Sequence, residues 1–349
     1  MGLLNVTPYD SEFYQEHLKD FLPDKFIDCH THIWLDRFVT HKEKDPSDLR
    51  TCAWTEMVAL DNSIEDLIQT NLELYPGKTC IPVLYSHTDA TVDTVQSNAY
   101  VLECKKKYNF PALYLSRPDQ DIEEIERKVL EGGYAGLKVY LEFAPSYIPV
   151  NEIRIYDFVP HEQLALADKY GWVVQVHIAR PKRLADPVNY VQILEIEQKY
   201  PNLQFIVAHL GRAYADSDIG NSLEYLKHSE KTIWDFTANT NSYVMEQVLN
   251  YFGPKRFIYG SDFPIFRMKA RRVIEDGGFY INEIPAGSLG DVSTDAHMRE
   301  IPYPEAEKIT FFIYEEMLSC KRAVERLGLG RKDIDDIFYN NSARIFNVE

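Results

Sequence analysis

Five apolar segments of this chain each stop at a histidine, a lysine or an aspartate. They span residues 26–32, 136–140, 173–177, 205–212 and 257–264. The apolar part of each segment is typical of a buried parallel strand. Parallel α/β sheets and barrels carry their functional side chains at the carboxyl ends of their strands. The five polar ends therefore predict one shared functional site rather than five separate packing positions.

Strand and helix patterns alternate along most of the chain. The strand candidates are residues 26–29, 80–85, 112–115, 135–139, 173–176, 204–208, 232–236 and 256–259. Helix candidates between them include residues 64–75, 120–131, 160–170, 187–200 and 242–252. Eight strands separated by helices predict an α/β fold, a (β/α)8 TIM barrel. No linker rich in Pro, Gly or Ser divides the sequence, so we expect one domain over residues 1–349 with its barrel core at 25–265.

Three segments are predicted additions to this barrel. An amphipathic helix over residues 9–22, capped by Asp10 or Ser11, is expected to close the bottom of the barrel. Two long helices, at about 305–327 and 332–346, are expected in the C-terminal region 305–349. Residues 265–304 form an insert whose glycines and prolines predict turns rather than a long helix. We expect the insert to cover the catalytic face as a lid, with an outward-packed dimer contact as the alternative.

Composition excludes several classes of partner. The formal net charge of −17 argues against nucleic acid, although a local cationic pocket could still take an anionic small molecule. No apolar run approaches the ~20 residues of a membrane helix. The five cysteines are odd in number and widely scattered, which predicts a reduced, cytoplasmic protein. We expect a small-molecule substrate, no nucleic acid and no membrane, and we leave a homo-oligomer open.

Histidine spacing predicts a metal site. His30 and His32 are two residues apart, which places both side chains on one face of a strand. His177, His209 and Asp262 stand at the ends of the fifth, sixth and eighth predicted strands. Three imidazoles and a carboxylate suit Zn²⁺ or Mn²⁺ with a position left open for water. Water bound there would have a pKa near ~7 and would be a nucleophile at neutral pH.

Three cationic residues are candidates for substrate binding. Lys138 ends the fourth strand and could be carboxylated and bridge two metals, bind a substrate anion, or pair with a neighbouring carboxylate. Arg180 and Arg212 each follow a strand-end histidine by three residues, where a guanidinium can grip a carboxylate at two points. His87 and His297 are expected to stay out of the pocket. The remaining histidines are expected to be solvated: His17, His41, His161 and His228.

Together these motifs resemble the amidohydrolase superfamily, in its amidohydrolase 2 branch. The matching pieces are Asp-x-His-x-His at 28–32, Gly-x-Lys at 136–138, His177, Ala-His-Leu-Gly at 208–211, Gly-Ser-Asp-x-Pro at 260–264 and Asn-x-x-Arg-x-Phe at 341–346. The resemblance implies a distorted (β/α)8 barrel and metal ligation by His30, His32, His177 and Asp262. It also implies that His209 is an acid/base or polarising group if one metal is bound. The insert at 265–304 and Arg212 depart from the usual pattern of the branch.

The motifs and the resemblance lead to one predicted reaction class. We predict a mononuclear, metal-dependent hydrolase that attacks a C–O or C–N bond (lactone, ester or amide) of a small, carboxylate-bearing substrate. Asp262 would take the proton from the attacking water, and His209 would hold the substrate oxygen or the leaving group. The metal would be one divalent ion, zinc ahead of manganese, with a binuclear site on carboxylated Lys138 as the alternative. The alternative reaction is non-oxidative decarboxylation of an aromatic or unsaturated acid, and a further alternative is a binding barrel that has lost turnover.

Overall fold

Each predicted strand forms where the apolar run is buried, and all eight run parallel. The computed structural model describes residues 3–40 and 55–348. The strands are β1 (Lys25–His32), β2 (Thr79–Tyr85), β3 (Tyr114–Leu115), β4 (Gly136–Val139), β5 (Val173–Val176), β6 (Gln204–Val207), β7 (Ile233–Asp235) and β8 (Phe257–Ile258). The loop expected early in the connection between β1 and β2 lies mostly outside the described residues.

The strands form two ladders that bridges join into a distorted barrel. One ladder pairs β1 with β2, and the other runs in the order β3-β4-β5-β6-β7-β8. A single parallel bridge, Leu84 to Ala112, links β2 to the segment that leads into β3. Another, Thr31 to Phe263, links β1 to the segment after β8. The TIM-barrel architecture is therefore confirmed, in the distorted form that the resemblance implies.

A helix follows nearly every strand and packs against its outer face. The helices that cover the barrel are Ile64–Leu74, Thr94–Tyr108, Ile122–Gly132, His161–Tyr170, Pro187–Lys199, Ser222–Leu226, Ser242–Phe252 and Phe312–Arg326. Short helices also lie at Thr55–Val58 and Ile155–Phe158. None of the helices in the described ranges is long and apolar enough to span a membrane.

The barrel interior is closed at the bottom by the C-terminal helix. Alternate residues of the strands form one apolar cluster with the chain end: Ile27, Val83, Leu113, Val173, Ile206, Ile233, Ile258, Ile345 and Phe346. Ile345 and Phe346 belong to Asn341–Phe346, the last turn of a segment that starts at Arg331 and contains a π-helical stretch, Asp336–Asn340. The expectation that the N-terminal helix closes the bottom is wrong. Its residue Phe13 instead stacks on Tyr314 of the helix Phe312–Arg326.

The N-terminal helix begins earlier than its sequence suggests. It spans Pro8–Phe13 and continues as a π-helical turn over Tyr14–Leu18. Thr7 is the capping residue, and Asp10 is its reciprocal partner three positions inside the helix. The predicted cap at Asp10 or Ser11 is therefore wrong. Asp10 also binds Lys269 and Thr310, so it ties this helix to both ends of the insert region.

The insert is a small sheet rather than a series of turns. Its strands are β9 (Arg271–Glu275), β10 (Phe279–Pro285) and β11 (Met298–Ile301), with β10 in the middle. β9 and β10 form an antiparallel hairpin through Gly277 and Gly278, whose positive φ angles of 84° and 83° suit a tight reversal. The apolar residues Ile284, Val292 and Met298 pack beneath this sheet.

Candidate active site

The end of β1 brings two imidazoles to one carboxylate. The pairing of β1 with β2 is irregular between Asp28 and Thr31, a distortion that is common beside functional sites. Nε2 of His30 and Nε2 of His32 lie 3.3 and 3.1 Å from Oδ1 of Asp262. All three residues are buried. The two-residue spacing of the histidines therefore does place both on one face of the strand.

The chain after β8 is shaped to deliver Asp262 to this point. A side chain at Gly260 would lie 2.6 Å from Cβ of His30, so the close approach of β8 to β1 depends on glycine. Oδ1 of Asp28 accepts the backbone N–H of Ser261 at 2.9 Å and docks this segment on β1. Asp262 itself has a φ of 60°, a left-handed conformation that is strained for a non-glycine residue.

Hydrogen bonds on the far side of each imidazole fix which ring nitrogen faces Asp262. Nδ1 of His32 lies 2.9 Å from the carbonyl oxygen of Ser86, and Nδ1 of His30 lies 2.9 Å from Oδ2 of Asp235. Because those oxygens can only accept, each Nδ1 carries the proton. In the neutral ring, each Nε2 then carries the lone pair and faces Asp262, whose pKa is held well below its usual range by the neighbouring histidines despite burial. Burial and Lys138 act against protonation of His30, but Asp235 and Asp262 outweigh them and raise its pKa.

This donor set fits a divalent metal ion. One ligand atom from each of His30, His32 and Asp262 can be chosen so that all three lie within 4.8 Å of one another. When both rings are neutral, two nitrogen lone pairs and a carboxylate oxygen converge here, which is a donor set that a borderline cation such as Zn²⁺ prefers. The hydrogen bonds from Nδ1 to Asp235 and Ser86 are the outer contacts that orient metal-binding imidazoles.

Asp235, at the end of β7, is a site residue that sequence reasoning missed. Besides contacting His30, its side chain accepts the backbone N–H groups of His209 at 2.9 Å and Thr237 at 3.1 Å. Gln175 of β5 donates to it at 2.9 Å. The available signal was the same as for the five chosen segments, since Asp235 ends a short apolar strand.

His209 lies beside His30, with ring centres 4.9 Å apart. Its φ is 58°, and its Nδ1 lies 3.1 Å from the carbonyl oxygen of Thr237. Nδ1 therefore donates, and Nε2 is the ring nitrogen left to accept a proton. Burial lowers the pKa of His209 to about 4, so the ring is neutral at physiological pH. His209 is placed to act as a base or as a hydrogen-bond acceptor.

His177 lines the same cavity but lies outside the compact group of His30, His32 and Asp262. Its ring centre is 4.8 Å from that of His209, and its Nδ1 is buried without a partner in the described part of the chain. Burial, with His209 and Arg212 nearby, lowers the pKa of His177 well below its usual value. The His177 ring is therefore neutral, with an unpartnered ring nitrogen at the edge of the site.

Lys138 is enclosed beneath the site rather than exposed to substrate. Its Nζ lies 3.2 Å from Nε2 of His30 and 4.6 Å from the ring centre of Tyr85. The side chain is fully buried, and burial lowers its pKa to about 8. This position gives no support to a direct contact between Lys138 and a substrate anion.

The site opens into a cavity of about 380 Å³. Arg212 lines this cavity, and its Nη1 donates to the carbonyl oxygen of Ala179 at 2.8 Å. Arg180 does not line it, because its guanidinium pairs with Asp186 at 3.1 Å at the start of the helix Pro187–Lys199. Of the two predicted arginines, Arg212 therefore lies at the site, whereas Arg180 pairs with the residue that caps the helix Pro187–Lys199.

The insert forms much of the cavity wall. It contributes Arg272, Tyr280, Asn282 and His297, and Phe266 just after β8 also lines the space. His297 stacks on Tyr280 with ring centres 3.9 Å apart. His87 also lines the cavity and stacks on Trp34 at 4.4 Å. The expectation that His87 and His297 stay out of the pocket is wrong, because aromatic stacking holds both against its wall.

Sequence comparison identifies a family for this chain. The family model described as amidohydrolase matches residues 27–275, which is more than half of the sequence. The match starts within β1 and ends with the last residue of β9, so it spans the whole barrel and the first strand of the insert. A search of curated protein sequences gives no significant match.

Solved structures share the fold at low sequence identity. The 5-carboxyvanillate decarboxylase of Sphingomonas paucimobilis is 12% identical, with a TM-score of 0.55 and coverage of 94% of this chain and 100% of that one. The 4-oxalomesaconate hydratase of Rhodopseudomonas palustris is 14% identical, with a TM-score of 0.54 and coverage of 93% and 96%. A candidate 2-pyrone-4,6-dicarboxylic acid hydrolase of Pseudomonas putida is 15% identical, with a TM-score of 0.52 and coverage of 94% and 99%. At these identities the similarity shows the fold alone.

Proposed function

The chain belongs to the amidohydrolase family, and from that premise we propose that it is a metal-dependent hydrolase. It would cleave a C–O or C–N bond in a lactone, ester or amide of a small, carboxylate-bearing substrate. The observation that carries this proposal is the convergence of two imidazole lone pairs with the Asp262 carboxylate beside the neutral base His209. Arg212 lines the same cavity, where it can bind the substrate carboxylate.

The metal would be one divalent ion, zinc ahead of manganese. His30, His32 and Asp262 would hold it, with His177 as the fourth ligand. Such an ion polarises a substrate oxygen and lowers the pKa of water bound to it. The alternative is a binuclear site bridged by carboxylated Lys138. The 3.2 Å contact between Nζ of Lys138 and Nε2 of His30 supports this alternative, because it places the lysine beside the proposed metal ligands. Native mass spectrometry would detect the carboxylated lysine.

Substrate binding would depend on the guanidinium of Arg212. One N–H already donates to the carbonyl oxygen of Ala179, which orients the planar group without neutralising it. The remaining N–H groups can bind a carboxylate at two points, the geometry in which arginine binds such groups most strongly. Neither Arg180 nor Lys138 is included, because Arg180 pairs with Asp186 and Lys138 lies behind His30.

Proton transfer would be shared by Asp262 and His209. Asp262 is ionised and can accept a proton from the attacking water. The new bond forms between the water oxygen and the carbonyl carbon, and the bond to the leaving oxygen or nitrogen then breaks. His209 presents Nε2 to accept a proton or a hydrogen bond from a reacting group, and it can return that proton to the leaving group. The insert covers the cavity and limits access of competing water.

A second candidate is a non-oxidative decarboxylase, and the likeness to a solved decarboxylase structure favours keeping it. In that reaction a ring carbon is protonated and the bond to the carboxylate carbon breaks, which releases CO₂. His209 would take up this proton from solvent water at Nε2 and pass it to the ring carbon. Hydrolysis and decarboxylation would use the same metal-binding atoms and the same imidazole. The geometry of His30, His32 and His209 is therefore compatible with both reactions.

Product analysis would separate the two reactions. Purified enzyme loaded with zinc or manganese would be screened against lactones, esters, amides and carboxylated aromatics in water enriched in heavy oxygen. Incorporation of the heavy oxygen into a product carboxylate supports the hydrolase, whereas CO₂ release without incorporation supports the decarboxylase. If neither metal-loaded form turns over any of these classes, while both bind metal, the third possibility of a binding barrel becomes the better account.

The compartment is also a proposal. Cys29, Cys80, Cys104 and Cys320 are free thiols in the structure, which supports function in a reducing compartment, the cytoplasm. The expected partner is a small anionic molecule. Gel filtration with light scattering would establish whether the chain also forms a homo-oligomer.

A further inference from the structure

Three arginines surround the ring of Tyr214 on the cavity wall. The Cζ atoms of Arg183 and Arg272 lie 5.1 and 4.5 Å from the ring centre. Arg212 is close enough to act electrostatically on the Tyr214 hydroxyl group. All four residues line the cavity. Such a concentration of positive charge stands out in a chain whose formal net charge is −17.

Only one of these arginines is neutralised by a carboxylate in the described residues. Nη1 of Arg183 pairs with Oδ2 of Asp218 at 2.5 Å. Arg212 and Arg272 instead donate to backbone carbonyl oxygens, those of Ala179 and Ala238. A carbonyl oxygen orients a guanidinium but leaves its charge in place. Neither Arg212 nor Arg272 therefore forms an ion pair with a carboxylate of the described residues, although other carboxylates line the same cavity: Asp89, Glu142, Asp262 and Asp295.

Arg272 is held in a fixed position by neutral groups on every side. Its Nε donates to Oδ1 of Asn282 at 2.9 Å, and its Nη1 donates to Ala238 at 2.5 Å. The rings of Tyr214, Tyr280 and Phe312 lie 4.5, 4.7 and 4.8 Å from its Cζ. Its Nη2 has no acceptor within residues 3–40 and 55–348. The guanidinium of Arg272 is thus held in place, and its Nη2 N–H groups remain available to donate to a bound anion.

A buried acid near Arg272 does not remove its charge. Glu316 acts electrostatically on Arg272, yet both carboxyl oxygens of Glu316 lack a hydrogen-bond donor in the described structure. Burial raises the pKa of Glu316 well above its usual value, which favours its neutral form. Within residues 3–40 and 55–348 no ionised carboxylate pairs with Arg272, and an anion bound in the cavity would compensate its charge.

We propose that Arg272, together with the Tyr214 hydroxyl group, forms a second anion subsite that the insert adds to the cavity. The Tyr214 hydroxyl has no partner among the described residues and can donate to the same anion. The substrate class is then a small organic acid with two carboxylates. One carboxylate binds Arg212 near the metal ligands, and the other binds Arg272 beneath the insert.

The two proposed subsites are built on different parts of the fold. Arg212 acts electrostatically on His177, so it lies beside the metal ligands. Arg272 belongs to β9 of the insert and is held by Asn282 and Tyr280 of β10. The second subsite therefore exists only when the insert sheet is folded over the barrel. The insert would act as a specificity element that selects substrates by their second negative charge.

This inference rests on the proposed function only in taking the cavity as the substrate site, and its test measures binding rather than turnover. The probes are dicarboxylates and their monomethyl esters, which have nearly the same size but differ by one charge: isophthalate, terephthalate and glutarate. Calorimetry on the metal-loaded enzyme would give a dissociation constant for each member of each pair. The wild-type enzyme should bind at least one diacid about tenfold more tightly than its monoester, a difference of about 1.4 kcal/mol.

Replacing the insert arginine should remove this preference alone. Arg272→Met keeps an unbranched chain among the aromatic rings but loses the charge, so the diacid and the monoester should bind within about twofold of each other. Arg272→Lys keeps the positive charge but loses the planar guanidinium that can donate two parallel hydrogen bonds. This variant should therefore prefer the diacid less strongly than the wild type and more strongly than Arg272→Met. The matched control is Arg271→Met on the same strand, because Arg271 pairs with Glu283 and does not line the cavity. That control should retain the full preference.

Thermal unfolding would first show that each variant is folded. If Arg272→Met kept the tenfold preference, or if no wild-type diacid bound more tightly than its ester, the second subsite would be excluded. Arg212→Met should weaken both members of a pair by the same factor. Absence of hydrolysis with a retained, Arg272-dependent preference would count against the proposed reaction and leave this subsite standing.

Discussion

Asp235 lies 2.9 Å from Nδ1 of His30, and this contact decides which nitrogen of His30 faces Asp262. The other oxygen of Asp235 accepts the backbone N–H of His209 at 2.9 Å. The neighbouring histidines hold the pKa of Asp235 well below its usual range even though burial opposes this. The ionised carboxylate therefore accepts hydrogen bonds and donates none. One carboxylate therefore positions both a candidate metal ligand, His30, and a candidate catalytic residue, His209.

Replacing Asp235 with Asn should weaken metal binding by about 10- to 100-fold, the usual effect of losing an outer-shell partner. The amide has no charge to hold the Nδ1 proton of His30, and its NH₂ group can turn toward the imidazole. Competition with a chromogenic chelator would measure the affinity. Asp119→Asn is the control, because Asp119 is largely exposed and far from the site, and it should bind metal like the wild type. Equal affinities for both variants would contradict the positioning role.

The strand-end residues could be predicted because local sequence determines them. Apolar runs place β1, β5 and β8 in the barrel, and their ends then place His30, His32 and Asp262 near one another. Asp235 was missed although a strand is predicted over residues 232–236, because Phe236 follows it and Asp235 does not stand at the predicted strand end. β7 ends at Asp235, and the contact of its carboxylate with His30 shows its place in the site.

The residues of the cavity wall could not be predicted in the same way. Arg183 and Arg272 come from a loop and from the insert, and only contacts between distant segments bring both to Tyr214. Glycines in the insert suggested turns, yet Gly277 and Gly278 serve as the reversal of a hairpin. Whether a Gly-rich segment pairs as strands depends on an apolar surface beneath it, and here the insert packs over residues such as Phe312.

Chelation should remove both the metal and the activity. A chelator would strip the ion, lower the midpoint of thermal unfolding and abolish turnover, and one equivalent of zinc or manganese should restore all three. The stabilisation arises because the ion binds the folded site and not the unfolded chain. His32→Ala should purify with little metal, whereas His161→Ala, outside the site, should keep a full equivalent. Full activity in protein holding less than about a tenth of an equivalent would contradict the metal proposal.

Replacing His209 with Asn should separate catalysis from metal binding. The amide of Asn can still donate to the carbonyl oxygen of Thr237, as Nδ1 does now at 3.1 Å, but nothing replaces Nε2. Turnover should fall by about 10²- to 10⁴-fold, the range for losing a general acid–base group. Metal content, measured by elemental analysis, should stay at the wild-type level. Loss of the metal in this variant would instead make His209 a ligand and favour the binuclear alternative with Lys138.

The low pKa of His209 also predicts how stability depends on pH. Burial lowers this pKa from 6.5 to about 4 in the folded protein. Between these two values the unfolded chain binds a proton at this residue and the folded protein does not, so stability falls as the pH is lowered through that window. The contribution is fully present above pH 6.5 and is lost by about pH 4, a change of roughly 3 kcal/mol.

Denaturant unfolding of the metal-free protein at several pH values would measure this effect. His32 and His177 also have lowered pKa values, so the wild type alone would show their combined contribution. The difference between the wild type and His209→Asn leaves the contribution of His209 and the part of the His177 shift that His209 causes. The wild-type protein should lose stability more steeply than the variant between about pH 6.5 and 4, by about one proton per molecule. Parallel curves for the two proteins would mean that His209 is not held neutral by burial, and the base role derived from that neutrality would fail with it.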